Sequence, residues 1–238
     1  VGSGANLLGS EASAVTYRRD TGTLFITGDH GTSVIQVSRS GEFIDSMTLG
    51  ADVSQPQGTF IYDPEGIASI GDGQFVLVEE RDREIVRFTY SPDTTLTAAD
   101  VQIVKLGTSI GNVGLEGVSF DPLTGGFILV KEKDPQGLFL TQVDFDQGTA
   151  TNGAPTQVNS TNLYDPAQLG VVDLGDIYAL SNVLDPSADD YAHLLVLSHE
   201  SGLLLHTDRQ GNVFGVIDVG LPAQHEGITA DESGVLYV

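Results

Sequence analysis

Short runs of apolar and β-branched residues, each stopped by Gly, Asp, Pro or Asn, recur along the whole chain. From residue 65 the text reads EGIASI, the turn GDG, then QFVLVEE, EIVRFTY and VQIVKLG. Runs of this length, rich in Val, Ile, Phe and Tyr and bounded by turn residues, predict β-strands. The stretch before it repeats the pattern with SAVTY, LFITGD, SVIQVS and IDSMTL. The stretches after it do so with EGVSFD, FILVKE and GLFLTQVDF, then with DIYALS, LLVLSHE, LLLHTD and NVFGVIDVG. No segment sustains the 3.6-residue period of an amphipathic helix. The strongest helical candidate is one turn at TTLTAAD (94–100).

The pattern is periodic. PEGIAS (64–69), LEGVSF (115–120) and HEGITA (225–230) share a Glu-Gly pair, at Glu65, Glu116 and Glu226. The same register puts Ser13-Ala14 of ASAVTY and Gly175-Asp176 of DLGDIYALS in the Glu-Gly places. Successive anchors Ser13, Glu65, Glu116, Gly175 and Glu226 are 52, 51, 59 and 51 residues apart. Four strands per period of roughly 40–50 residues is the pattern of propeller blades. The expected fold is an all-β propeller of about five blades of four antiparallel strands, starting near 12, 64, 115, 174 and 225, in one domain over 1–238. Six blades is the alternative. The text ends two strands into its fifth period, so an incomplete last blade is expected, in a domain excised from a longer chain.

Charge narrows the partners. Of 238 residues, 33 are acidic and 10 basic, a net charge of −23. Such a field repels nucleic acid and anionic membrane surfaces and attracts cations. There is no cysteine, which removes disulfides, thiolate metal sites and thiol nucleophiles. No apolar run reaches the length of a membrane span. The expectation is an extracellular or periplasmic domain, monomeric within a larger protein.

In a propeller the first strand of each blade lines the central channel, so Glu65, Glu116 and Glu226 should converge at one mouth. Carboxylates brought together stay ionised cheaply only if a cation or base joins them. Oxygen donors without cysteine favour Ca²⁺, with these three glutamates as ligands. The competing reading is a repeated cap, each Glu accepting backbone N–H groups of the next blade. A second ring follows the second strands: Asp29-His30, Glu79-Glu80, Lys131-Glu132 and His199-Glu200. From it Asp29, Glu80, Glu132, His199 and Glu200 are the candidate ligand-binding residues. Histidine beside a carboxylate can also serve as a general base. Arg81, Lys131 and Lys133 could neutralise part of this ring, and then no cation is needed. DPSADD (185–190) and DFDQGTATNG (144–153) lack EF-hand spacing and read as solvated loops. NST at 159–161 fits the glycosylation triplet.

DPEGIASIGDGQFVLVEERDREIVRF, GLEGVSFDPLTGGFILVKEKDPQGLF, LLVLSHESGLLLHTDRQGNV and HEGITADESGVLYV together resemble the SdiA-regulated (YjiK-like) β-propeller family, VKEKDPQGLF being the most specific part. The likeness runs from about residue 12 to the end. More distantly the pattern looks like the regucalcin/gluconolactonase and NHL propellers. DLGDIYALS departs from the family by lacking a Ser-Gly. The resemblance implies an exported bacterial module that binds an unknown small molecule, glycan or protein at its channel mouth, with Ca²⁺ there. The alternative it implies is a metal-dependent hydrolase, of lactonase or phosphoesterase type, in which Asn112 and Asp176 would join a Glu around the metal.

Overall fold

Each run of the sequence pattern becomes a short strand, and each Gly or Asp turn a reversal. The computed structural model describes residues 8–109, 111–152, 161–220 and 225–238. The first blade holds β1 (Ala12–Arg18), β2 (Thr23–Gly28), β3 (Ser33–Val37) and β4 (Phe43–Leu49). The second holds β5 (Pro64–Gly71), β6 (Gln74–Glu79), β7 (Glu84–Thr89) and β9 (Gln102–Lys105). Between β7 and β9, β8 (Thr95–Leu96) leaves its own blade and pairs parallel with β4. The expected helical turn at 94–100 is therefore a strand: β-branched Thr95 and buried Leu96 extend the neighbouring sheet.

The third blade has β10 (Leu115–Asp121), β11 (Gly126–Lys131) and β12 (Gly137–Thr141), followed by the hairpin β13 (Val143–Asp144) and β14 (Thr149–Ala150). Its fourth place is filled by the returning chain, where Asn162 bridges Phe139 and the Leu163 N–H donates to Leu138 O at 2.7 Å. The fourth blade is β15 (Asp176–Ala179), β16 (Leu194–Ser198), β17 (Leu203–Thr207) and β18 (Val213–Asp218). A two-stranded pair, β19 (Thr229–Ala230) and β20 (Leu236–Tyr237), occupies the fifth place. Apart from β4–β8, all strand pairings among the described residues are antiparallel. Helix is confined, among the described residues, to two 3₁₀ turns, Pro166–Leu169 and Leu180–Asn182.

The four sheets stand in a ring. β1 packs on β5, β5 on β10, β10 on β15, and β19 returns to β1. The cores lie between blades, not within them. Phe25 of the first blade meets Phe75 of the second with ring centroids 4.6 Å apart, and Phe88 and Tyr90 complete that cluster. Ile128, Val130 and Leu138 of the third blade pack with Ile177, Leu194 and Val196 of the fourth. Leu195, Leu197 and Leu204 of the fourth pack with Ile228 and Ala230 of the fifth place.

The repeated glycine sets how closely the first strands approach. A Cβ on Gly66 would lie 3.0 Å from the Val118 nitrogen. One on Gly117 would lie 2.2 Å from Asp176 Oδ1, and one on Gly227 2.7 Å from the Val15 nitrogen. Each glycine thus faces the next blade, where no side chain fits.

Candidate functional site

A β-bulge places the anchor residues. In β5 the pairing passes from Pro64–Glu79 to Gly66–Val78, and in β10 from Leu115–Lys131 to Gly117–Val130. Glu65 and Glu116 are the extra residues, and a bulge re-aims the side chain of its extra residue away from the regular alternation. The same shift in β1 skips Ser13, between Ala12 and Ala14. In the fourth blade Gly175 takes this place and Asp176 takes that of the glycine, pairing with Leu197 as Gly117 pairs with Val130.

The second predicted ring falls one step outside. Asp29, Glu80 and Glu132 donate their backbone N–H groups to Glu11, Asp63 and Gly114 oxygens at 3.0, 3.1 and 3.2 Å. They are register equivalents, and His199 holds the same place in the fourth blade. Together the two rings line one cavity of about 510 Å³, with Glu11, Ser13, Asp29, Glu65, Glu80, Asn112, Glu116, Glu132, His199 and Glu226 on its wall. All three glutamates predicted as metal ligands and four of the five predicted ligand-binding residues are there. Glu200 stands outside that wall, exposed and bonded to Lys133 at 2.9 Å.

The carboxylates divide into two groups. Oxygens of Glu80, Glu116 and Glu132 lie within 4.8 Å of one another, and so do those of Asp29, Asp63 and Glu65. Glu226 joins neither group. The first-blade anchor between it and Glu65 is Ser13, which carries no carboxylate, and its charged neighbours are His199 and Glu11. The three anchors therefore share one cavity without forming one ligand set. Among the described residues no backbone N–H donates to a side chain of these anchors, so the repeated-cap reading does not describe them. Capping falls instead to Glu79, which accepts from Tyr62 N at 2.7 Å, to Glu80, which accepts from Gly114 N at 3.2 Å, and to Asp176.

Burial and crowding perturb these acids. Desolvation pushes Glu116 up to about 11, with Glu65, Glu80 and Glu132 adding to it. Desolvation and then Asp63, Asp29 and Glu80 raise Glu65 to about 9, against a hydrogen bond from Ser13. Glu80 rises to about 7 and Asp29 to about 6, both chiefly by burial. Glu226 is raised by burial, opposed by His199. His199 is itself raised, because its Nδ1 stands 2.6 Å from the buried Asp173, which also accepts from Ser198.

Basic residues pair with one buried member of each group, Asp63 and Glu132. Arg81 pairs with Asp63, donates to Asn112 and lies over the Tyr62 ring. Lys133 bridges Glu132 at 2.6 Å and Glu200 at 2.9 Å. Lys131 turns away, its Nζ donating to the Lys133 carbonyl and to Pro135 O at 2.9 Å.

Asp176 is not at the mouth. In the glycine place its carboxylate enters the seam between blades and accepts from Ile228 N at 2.8 Å and Ile177 N at 2.7 Å. It belongs to ring closure, not to a metal set, whereas Asn112 does reach the wall. Sequence reasoning missed Asp63 and Glu11. Each stands two residues before its anchor, in left-handed backbone conformation with φ of 60° and 49°. The repeat of that offset was the available signal. His30 stays exposed against Glu11, and His225 bonds Val219 O. The glycosylation triplet lies mostly outside the described residues.

The opposite end of the ring differs. There a cavity of about 460 Å³ is lined largely by Val15, Ile67, Ile70, Val118, Phe120 and Tyr178.

A family model described as SdiA-regulated matches residues 4–238. Among solved structures the chain is similar to a catalytically inactive virginiamycin B lyase from Staphylococcus aureus with quinupristin, at 14% identity and a TM-score of 0.47, covering 93% of this chain and 61% of that one. The selenomethionine-substituted enzyme from the same organism gives 12% identity and a TM-score of 0.43, with 94% and 61% covered. The chain thus spans about three fifths of the length of these lyases.

Proposed function

The chain belongs to the SdiA-regulated family, and from that premise we propose that it is an exported propeller module that binds a ligand or partner through a cation, Ca²⁺, held at its acidic mouth. The observation that carries this reading is the set Glu80, Glu116 and Glu132, whose oxygens meet within 4.8 Å at a largely buried place open to one cavity. Three carboxylates so close repel one another and lose hydration; a divalent cation relieves both costs. Ca²⁺ takes 6–8 oxygens at 2.3–2.6 Å and accepts irregular geometry. Protein oxygens would supply part of that shell, and hydroxyls or carboxylates of a small molecule, glycan or protein segment the rest. The high negative charge and the lack of cysteine suit an extracellular or periplasmic medium rich in divalent cations.

Calorimetry with and without chelator tests this. A free Ca²⁺ concentration 100-fold above Kd should add about 2.7 kcal/mol to stability, and Glu116→Gln should remove most of that response. Identical melting curves in chelator and in millimolar Ca²⁺ would sink the cation.

One observation favours a hydrolase reading as the alternative: His199, oriented by buried Asp173, faces the same mouth. A cation acting as Lewis acid beside such a base is the arrangement a lactonase or phosphoesterase requires. Turnover of a lactone or phosphoester that vanishes in both His199→Ala and Glu116→Gln would establish it. A broad screen with Ca²⁺ present and no turnover leaves binding.

A further inference from the structure

On the outer strands of the fourth blade, at the end of the strands away from the acidic mouth, two of the five histidines of the chain stand together. His193 closes the insert 182–193, and His206 lies in β17 opposite Leu195. His193 Nδ1 is 2.9 Å from His206 Nε2 and 3.2 Å from Asp190 Oδ1. All three donor atoms lie within 4.8 Å of one another. The His193 ring is stacked on Phe214 of β18, with centroids 4.8 Å apart and planes at 18°. It is thereby fixed in orientation before any ligand arrives.

We propose that Asp190, His193 and His206 form a binding site for a transition-metal dication of the Zn²⁺ class. Two imidazole nitrogens and a carboxylate select such ions, and not the Ca²⁺ suited to the carboxylate set Glu80, Glu116 and Glu132. Donors at 2.0–2.1 Å around a tetrahedral ion stand about 3.3–3.4 Å from each other. The two shorter separations here need to open by only a few tenths of an ångström. The two imidazole nitrogens already face each other at hydrogen-bond distance, and the metal would come between them. Asp190 and His193 are three residues apart in the turn that ends the insert, where Asp190 O accepts from His193 N at 2.9 Å. The loop that reads as plain solvated sequence is thus held in the conformation that presents both donors. The fourth position faces outward, since Asp190 is half exposed. The net charge of −23 raises the local concentration of any dication. This site is independent of the acidic mouth and stands or falls separately from it.

Isothermal titration of the chelator-stripped chain with Zn²⁺, and the visible absorption of its Co²⁺ complex, test the assignment. One ion per chain is expected at this site, with Co²⁺ bands of the intensity given by tetrahedral nitrogen–oxygen coordination. His206→Gln and Asp190→Asn should each weaken Zn²⁺ at least about tenfold, while Glu116→Gln leaves it unchanged. Circular dichroism and melting of the metal-free variants verify that they fold. His193→Gln is a third variant should either of them fail to fold. Absence of Zn²⁺ binding by the wild-type chain overturns the proposal. So does binding of equal affinity in folded His206→Gln and Asp190→Asn. Loss of binding in Glu116→Gln instead would assign the ion to the mouth and would overturn it as well.

Discussion

Glu65 and Glu116 reach the mouth because each is the unpaired residue of a bulge, and that position decides their chemistry. Desolvation, with neighbouring carboxylates adding to it, makes the folded chain bind protons more tightly than the unfolded chain at Glu65, Glu80, Glu116 and Asp29. For an acid raised on folding, protonation favours the fold. The contribution is complete below the ordinary value of 4.5 for a glutamate and is lost as pH rises through the folded value, about 7 for Glu80 and about 9 for Glu65. His199 works in the same direction, its contribution being whole below 6.5 and lost above. In chelator, the melting temperature should therefore fall steadily from pH 5 to pH 9. Glu116→Gln should flatten that fall, and saturating Ca²⁺ should restore stability most at the alkaline end. A chelated wild-type chain that grows more stable over this range would show that the acids are not raised. The Glu-Gly letters alone identified the anchors. They could not show the bulge, because a two-against-one pairing depends on the partner strand. Nor could they reveal that Asp176, one residue along, aims its carboxylate into the seam.

At the scale of strands, the blade spacing was legible because each period repeats the same alternation and the same turn residues. Exceptions occur where a strand serves a neighbour. Thr95–Leu96 pairs across blades, and residues 161–163 fill the edge of the third sheet after a long excursion. Both depend on contacts distant in sequence, which local propensity does not encode. Packing between blades is likewise invisible in any one period, yet it carries the stability. Phe75 is fully buried and touches Phe25, Phe88 and Tyr90, so it joins the first blade to the second. Phe75→Ala removes a ring from a cluster that cannot collapse without shifting two sheets. A loss of about 3–5 kcal/mol is expected in denaturant unfolding. A loss under about 1 kcal/mol would mean the blades are not coupled through these rings.

A ring is only as stable as its weakest seam, and two devices recur here, meeting in the same seam between the third and fourth blades and between the fifth place and the first blade. The glycine after the anchor lets backbones meet, and a hydroxyl three residues past the anchor accepts an N–H from a neighbouring first strand. Thr16 accepts from Ser69 N at 3.1 Å, Ser119 from Ala179 N at 2.9 Å, and Thr229 from Tyr17 N at 3.0 Å. The last of these closes the circle, joining the two-stranded fifth place to the first blade. That place also leans on Asp176, through Ile228 N, and on Arg39, which donates to Asp231 at 3.0 Å. With only two short strands, it has less sheet of its own than any blade, so the seam it makes with β1 should open first. Gly227→Val tests this, because its side chain would drive into Ala14 and Val15 backbone with no room to move. Overpacking of this kind costs about 1–3 kcal/mol. Hydrogen exchange of the variant should quicken at the Tyr17 and Ile228 amides while Ser69 and Ala179 keep their protection. Uniform acceleration at all four would mean that the ring opens as one unit. Because Glu226 adjoins this seam but belongs to neither carboxylate group, Gly227→Val should leave the response to Ca²⁺ at Glu80, Glu116 and Glu132 as it was, and Zn²⁺ at His193 and His206 likewise. A weakened Ca²⁺ response would mean that the seam and the mouth are coupled.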